Sequence, residues 1–280
     1  MSRTRRVQVA FQGELGSFSH AAALKLLGPS AVPTTCRNFK QVFDLLQSEA
    51  VFAAVIPIEN TLHGSVHENY DLLVEYDFPI SGETSLRVSH QLVALPGVKL
   101  RDVTRAFSHP VALNQCRRFF ERYKDIAPVS FYDTAGSVKH IAEHGLRDSA
   151  AVASVSAAEI YGGTILRRNI EDDQLNTTRF FLLTKQEYTP PAVGDARKTS
   201  IVFATGNKPS ALFKALACFA LRDLNLTKIE SRPLRGKPWE YLFYLDFLGS
   251  TDEKNVQRAL ASLEECTNFC KVLGSYRPTP

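Results

Sequence analysis

The run Ala53-Ala54-Val55-Ile56-Pro57-Ile58 constrains this chain more than any other stretch. It is apolar at every position, with no alternation, which suits a strand buried on both faces. Such a strand needs a covering layer on each side, and helices supply it in α/β folds. The neighbouring sequence agrees. Residues 6–11 predict a short strand, and Gln12-Gly13-Glu14-Leu15-Gly16 the loop after it. Ser17 or Ser19 caps a helix running to Leu27, which Gly28-Pro29 stops. Asn38 caps a second helix over 39–50, with Phe39, Val42, Phe43, Leu45 and Leu46 on one side.

The same arrangement recurs. Strands are predicted at 86–95, 103–107, 129–132 and 150–154, with helices over 112–124, from Asp133 to 143, and up to 160. The chain therefore reads as α/β with a mainly parallel sheet, built as two lobes that face a cleft. Ligands in such sheets gather at the C-terminal ends of strands. Pro190, Pro191 and Gly194 mark a linker over 188–197. Beyond it come strand 199–205, helix 210–224, strands 225–231 and 241–248, a helix over 252–267 capped by Thr251, and strand 271–276. The order βαββαβ is the ferredoxin-like arrangement. The expected division is 1–187 for the two-lobed domain, 188–197 for the linker and 198–280 for the second domain. Lobe A covers about 6–82 and 168–187, and lobe B about 83–167.

Composition excludes several classes of function. Across 280 residues, 44% hydrophobic and 22% charged content are those of an ordinary globular protein. The net charge of +4 is scattered, which argues against nucleic acid and suits a small anionic substrate. No stretch approaches the length of a membrane span, and the N-terminus lacks a secretory pattern. Cys36, Cys116, Cys218, Cys266 and Cys270 form no C-x-x-C pair and no zinc pattern. Free thiols in a reducing compartment follow, and the expected location is the cytoplasm.

The polar stretches fall beside strands. Asn176-Thr177-Thr178-Arg179-Phe180 sits where a strand begins, as a turn or as half of a polar partnership with a ligand. Gly13-x-x-Gly16 is either an anion loop with free backbone N–H groups or a plain turn. His140-Ile141-Ala142-Glu143-His144 matches the H-x-x-E-H zinc-peptidase pattern, but Gly145 ends the helix at once. Glu59, His63 and His67 have helical spacing that Gly64 interrupts. Cys266 and Cys270 read as small buried residues. Asn60, Gln115 and Thr178 are uncharged groups from three strand-end loops. Together they suit stabilisation of a departing oxygen in a dry cleft without metal.

At this point the motifs become recognisable. Pro57-Ile58-Glu59-Asn60-Thr61-x-x-Gly64-x-Val66, Ser108-His109-Pro110-x-Ala112-Leu113-x-Gln115-Cys116 and Asn176-x-Thr178-Arg179-Phe180 resemble the signatures of the prephenate dehydratase family. Gly13-x-x-Gly16-Ser17-Phe18-Ser19 and Tyr132-Asp133-Thr134-Ala135 are similar to it as well. Residues 225–233 resemble the mark of the ACT regulatory module attached to that family. The likeness covers residues 7 to 277.

The resemblance implies two periplasmic-binding-protein-like lobes with the active cleft between them, and loss of CO2 and the ring hydroxyl from prephenate to give phenylpyruvate. It implies no cofactor. Thr178 places its hydroxyl at the departing oxygen, while Asn60, Ser108 and Gln115 hold the ring hydroxyl and carboxylates. Glu159 orients the network, and Arg179 binds a carboxylate or braces its loop. Gly16, Ser17, Thr61, Gly64, Thr134, Ala135 and Phe180 occupy substrate-binding motif positions. The ACT module implies feedback by L-phenylalanine, bound where two modules pair, hence a homodimer or homotetramer. Its effector positions are Ala211, Leu212 and Phe213 with Asn225, Leu226, Glu230, Ser231 and Arg232. Ser210 departs from the pattern, since many members carry glycine there. Arogenate dehydratases share the fold and motifs, and the lack of a plastid-type leader favours the keto-acid enzyme. A non-catalytic amino-acid sensor is a further reading, against which the Thr178-Arg179-Phe180 cluster argues.

Overall fold

In the computed structural model, which describes residues 7–186, 188, 197–234 and 240–279, the chain opens with strand β1 (Gln8–Gln12). Ser17 caps helix α1 (Phe18–Leu27), β2 (Val32–Cys36) follows, and Asn38 caps α2 (Phe39–Gln47). The apolar run becomes β3 (Ala53–Asn60), buried from Ala53 through Ile56 and again at Ile58. A short β4 (Gly64–Ser65) turns back onto β3, pairing Asn60 with Gly64. Helix α3 (His67–Glu75) and strand β5 (Ile80–Arg87) follow. β1 lies between β2 and β3, parallel to both.

Lobe B comprises β6 (Gln91–Ala94), β7 (Arg105–Ser108), α4 (Pro110–Asn114), α5 (Arg117–Arg122), β8 (Ala127–Ser130), α6 (Thr134–Glu143), β9 (Ser149–Ala153), α7 (Val155–Ile160) and β10 (Thr164–Arg167). Its sheet order is β10-β6-β9-β7-β8. β7 runs parallel to β8 and β9, whereas β6 pairs antiparallel with β9 and β10. The sheet is thus mixed, because β6 alone runs against the other four strands and sits between β10 and β9. Both faces are covered: Ala150 and Val152 pack with Phe119, while Ala151 and Ala153 pack with Val138 and Ile141.

Two differences from the sequence reading matter for the site. The strand expected over 86–95 breaks between Arg87 and Gln91, so that His90 leaves the ladder. The helix expected over 112–124 breaks at Gln115 and Cys116. Asp172 causes this second break. Its carboxylate accepts from Arg117 N at 2.9 Å and Arg118 N at 3.0 Å, capping a new helix, and its own N–H donates to Gln115 O at 2.7 Å.

Strand β11 (Thr177–Thr184) follows β10 and lies between β3 and β5. The C-terminal elements are β12 (Lys198–Thr205), α8 (Ala211–Ala220), β13 (Leu226–Pro233), β14 (Tyr241–Leu248), α9 (Lys254–Cys266) and β15 (Phe269–Tyr276). Their sheet is antiparallel in the order β13-β14-β12-β15, around Phe203, Phe219, Phe247, Val256 and Leu263. That is the ferredoxin-like topology.

The compact units divide elsewhere than the expected domains. Residues up to Tyr70 join Thr84–Phe180 in the first, and Asp71–Glu83 join the residues from Phe181 onward in the second. Ion pairs account for the transfer of 71–83: Asp71 with Arg232 at 2.9 Å, Asp77 with Lys271 at 2.9 Å and Glu83 with Lys198 at 2.8 Å. Gly274 permits it, since a Cβ there would stand 2.3 Å from Ile80 O. Most of the expected linker, residues 189–196, lies outside the described residues.

Candidate functional site

Asn60 ends β3, where the chain turns through residues 61–63 into β4. Its Oδ1 accepts from Leu62 N and His63 N, each at 3.0 Å. Backbone N–H groups can only donate, so these two bonds fix the amide orientation. The Nδ2 protons therefore face Asn176 Oδ1 at 2.7 Å and Thr178 Oγ1 at 2.9 Å, with Thr177 O at 3.3 Å. Thr178 Oγ1 accepts, and its own proton stays available to any oxygen that approaches it. Among the described residues it has no other hydrogen-bond partner.

Thr61 clamps the turn onto the start of β11. Its Oγ1 donates to Leu175 O at 3.1 Å and accepts from Thr177 N at 3.0 Å, and its N–H donates to Thr177 O at 2.9 Å. Asn176 is fully buried, and its Nδ2 has no hydrogen-bond partner among the described residues. Arg179, mostly buried, has its guanidinium 3.9 Å from the Glu59 carboxylate.

Gln115 reaches this corner through His63. Its Nε2 lies 3.1 Å from His63 Nδ1, and its Oε1 lies 2.8 Å from His90 Nε2. Burial holds the His90 imidazole below its ordinary value, against the opposing pulls of Gln115 and Glu171. The neutral ring carries one proton. On Nε2 that proton meets Gln115, whereas Nδ1 is buried without a partner among the described residues. So His90 donates to Gln115 Oε1, and Gln115 donates to His63 Nδ1. Glu171 fixes His90 from behind, accepting its backbone N–H at 2.8 Å and Arg87 at 3.0 Å.

The structure thus brings Asn60, Thr61, Gly64, Gln115, Thr178 and Arg179 to one corner. The other predicted positions fall elsewhere. Ser108 is fully buried, and its hydroxyl donates to Val152 O at 2.6 Å, in the service of the lobe B sheet. Glu159 is solvent-exposed on α7. Phe180 belongs to the core at 1% exposure. The glycine loop presents no free anion-binding N–H at Gly13, Gly16 or Ser17. Gly13 N donates to Cys36 O, Gly16 N to His20 Nδ1, and Ser17 N to Glu14 O. Gly16 instead allows a close approach: with φ +84°, a Cβ there would lie 2.6 Å from Ala157 Cα. Ser154 Oγ also donates to Gly16 O at 2.6 Å. Thr134 and Ala135 begin α6, which Asp133 caps by accepting from Gly136 N at 2.7 Å. In the H-x-x-E-H segment, His140 packs against Phe131 and Phe107, and His144 Nδ1 lies 3.0 Å from His140 O.

In the second unit, Ser210 precedes α8 with φ +64°, in the left-handed region. Ala211 and Leu212 are half-buried behind it, and Phe213 is 74% exposed. Asn225 precedes β13, on which Leu226, Glu230, Ser231 and Arg232 lie. Arg232 pairs with Asp71, and Glu230 lies 3.7 Å from Lys228.

His63, His90 and Glu171 are the residues that sequence reasoning missed. In sequence His63 reads only as a candidate metal ligand, and His90 falls inside a predicted strand. The polar pair Ser89-His90 interrupting an apolar stretch is the available signal.

A sequence model of the prephenate dehydratase family matches residues 9–188. The arogenate dehydratase/prephenate dehydratase 2 of Arabidopsis thaliana, a chloroplastic protein, is 45% identical over 99% of this chain and 74% of its own length. Arogenate dehydratase 2 of Petunia hybrida is 42% identical over 97% and 72%. Among solved structures, the prephenate dehydratase of Arthrobacter aurescens in complex with L-Phe superposes with a TM-score of 0.87 at 31% identity, covering 97% of this chain and 90% of that one. GqqA, described as a quorum quenching acylase, superposes with a TM-score of 0.88 at 35% identity, covering 98% of each chain. The expected cytoplasmic location is overturned by the chloroplastic relatives. With the family model covering well over half of its length, the chain belongs to the prephenate dehydratase family.

Proposed function

We propose that this chain converts prephenate to phenylpyruvate, CO2 and water in phenylalanine biosynthesis. The observation that carries the reading is the 2.9 Å bond from Asn60 Nδ2 to Thr178 Oγ1, in a sense that leaves the threonine proton free. The C–C bond to the ring carboxylate breaks and its electron pair enters the ring. The C–O bond breaks in turn, and one proton is taken up as the oxygen departs as water. Aromatisation drives the reaction, so only a barrier has to be lowered. Thr178 donates to the departing oxygen as charge develops there, and Asn60 holds that hydroxyl in place. Gln115 braces the corner from the lobe B side. No step calls for a cofactor.

Arogenate is the second reading, favoured by the names of the plant relatives. It differs from prephenate in the side chain, not in the ring that reacts. The acylase likeness finds less support. Among the described residues Thr178 is partnered only by an amide donor, which cannot take its proton to make it a nucleophile. We assign L-Phe to the second unit as effector, at Ala211, Leu212, Phe213, Asn225, Leu226, Glu230, Ser231 and Arg232. Two copies of that unit pair in this reading, giving a homodimer or homotetramer.

The deciding experiment incubates the purified chain with prephenate and with arogenate, with and without L-Phe, and measures phenylpyruvate and phenylalanine separately. Phenylpyruvate formed faster supports the first reading. Phenylalanine formed faster supports the second, and neither product ends both.

A further inference from the structure

In lobe B, Arg118, Arg122, Arg167 and Arg168 converge on a cavity of about 480 Å³, walled by Phe119 and Tyr123. The sequence sets up this crowding. Arg118 and Arg122 stand one helical turn apart on α5, where like charges repel. Arg167 ends β10, an edge strand, and Arg168 follows it.

None of the four forms an ion pair among the described residues. Arg118 donates to the backbone oxygen of Asp172 at 3.4 Å, and Arg122 lies over the Tyr123 ring at 5.7 Å. Arg167 donates to Leu166 O at 2.8 Å, and Arg168 makes no hydrogen bond or ion pair there. The two carboxylates lining the cavity are engaged elsewhere. Glu171 holds Arg87 and His90 N, and Asp172 caps α5. The Tyr123 phenol responds to this local field. A hydrogen bond from Arg167, helped by the positive charge of Arg167 and Arg122, draws it below its ordinary value.

We infer that this cavity binds a small polyanion carrying phosphoryl groups. A guanidinium presents a planar fork of donors that matches phosphate oxygens, and several forks can share one tetrahedral group. Two linked phosphoryl groups supply the charge density that four guanidiniums call for, and the aromatic wall leaves room for an attached ring. The volume lies within the usual range of ligand pockets, about 300–1,000 Å³. This assignment is independent of the dehydratase reaction.

The test is calorimetric titration of the full chain with pyrophosphate and with ADP, at ionic strength held constant with NaCl. Saturable binding with a Kd below about 1 mM is expected. The Arg122→Gln/Arg168→Gln double variant should bind at least roughly ten-fold more weakly, while Arg101→Gln, outside the cavity, binds as the parent does. ADP binding more tightly than pyrophosphate assigns the site to a nucleotide. Equal affinities assign it to the inorganic group, and either result supports the phosphoryl assignment. Citrate binding as tightly as pyrophosphate overturns that assignment. Heat that NaCl reproduces alone, or a folded double variant with unchanged affinity, overturns the site. Should the double variant fail to fold, the single Arg168→Gln change at the exposed strand end decides by the same titration.

Discussion

The corner around Asn60 and the segments around Ser210 and β13 solve opposite problems. At the first, the Asn60 and Gln115 amides are both held in one orientation, by Leu62 and His63 N–H groups in one case and by His90 in the other. At the second, Phe213 points into solvent and Ser210 holds a backbone conformation that L side chains disfavour. A site that lowers a barrier gains from groups fixed before the substrate arrives, because no reorganisation remains to be done during reaction. A site that reads an effector gains from surface whose burial is still to come. The contrast is the one that the two proposed roles call for.

Replacing Thr178 is the severest way to probe the fixed corner. On the proposed reading, Thr178→Ala lowers kcat by roughly 10²–10³-fold and changes KM little, because the lost bond strengthens mainly in the transition state. Steady-state kinetics on the preferred substrate measure both constants. A raised KM at unchanged kcat would reduce Thr178 to an ordinary binding group.

His63 probes the same corner from its edge. Gln115 donates to His63 Nδ1, so removing that acceptor frees an amide whose orientation the site uses. His63→Leu is expected to lower kcat by roughly ten-fold, the scale of one lost hydrogen bond with its partner left unpaired. His63→Asn, whose Oδ1 stands close to the place of Nδ1, should restore most of it. Equal activity in the leucine and asparagine variants would show that the contact is incidental.

How much of this is legible in the sequence follows from which forces act locally. Caps at Ser17 and Asn38 are readable because a side chain and the N–H groups it serves lie within a few residues. The buried strand β3 is readable from its unbroken apolar run, and βαββαβ from the order of its elements. The break at Gln115 is not, because its cause, Asp172, lies more than fifty residues downstream. The departure of His90 from its strand depends likewise on Glu171. Asn60 and Thr178 are legible as motif positions, but the sense of the bond between them is not. That sense comes from the backbone of Leu62 and His63. The transfer of 71–83 to the second unit rests on ion pairs between distant segments, which no local pattern announces.

Asp133 offers a milder test, in stability rather than rate. Burial raises its carboxyl pKa, against the lowering pull of the Gly136 N–H. A carboxyl raised above its unfolded value adds stability while protonated and loses it as pH climbs through the folded value. Asn caps helices as well as Asp does and carries no charge to bury. Asp133→Asn should therefore raise Tm at neutral pH, with the advantage shrinking as the pH is lowered. Melting curves at several pH values measure it. A loss of Tm at neutral pH would mean that the ionised group serves the fold in a way its hydrogen bonds do not reveal.

The smallest effect is expected at Ser210, and it bears most directly on the contrast between the two regions. At φ +64° a serine carries a steric cost that glycine escapes, partly offset by the greater freedom glycine has when unfolded. Ser210→Gly should then stabilise the chain by roughly 0.5–1 kcal/mol, read as a shift in denaturant midpoint at constant m-value. The hydroxyl makes no cap hydrogen bond to α8, so its removal costs nothing there. If this segment receives L-Phe, the same change also removes a side chain from the approach to α8, and affinity for L-Phe should rise. Stability gained with unchanged affinity would leave the strain at Ser210 a property of the turn alone and would move the effector site away from the start of α8.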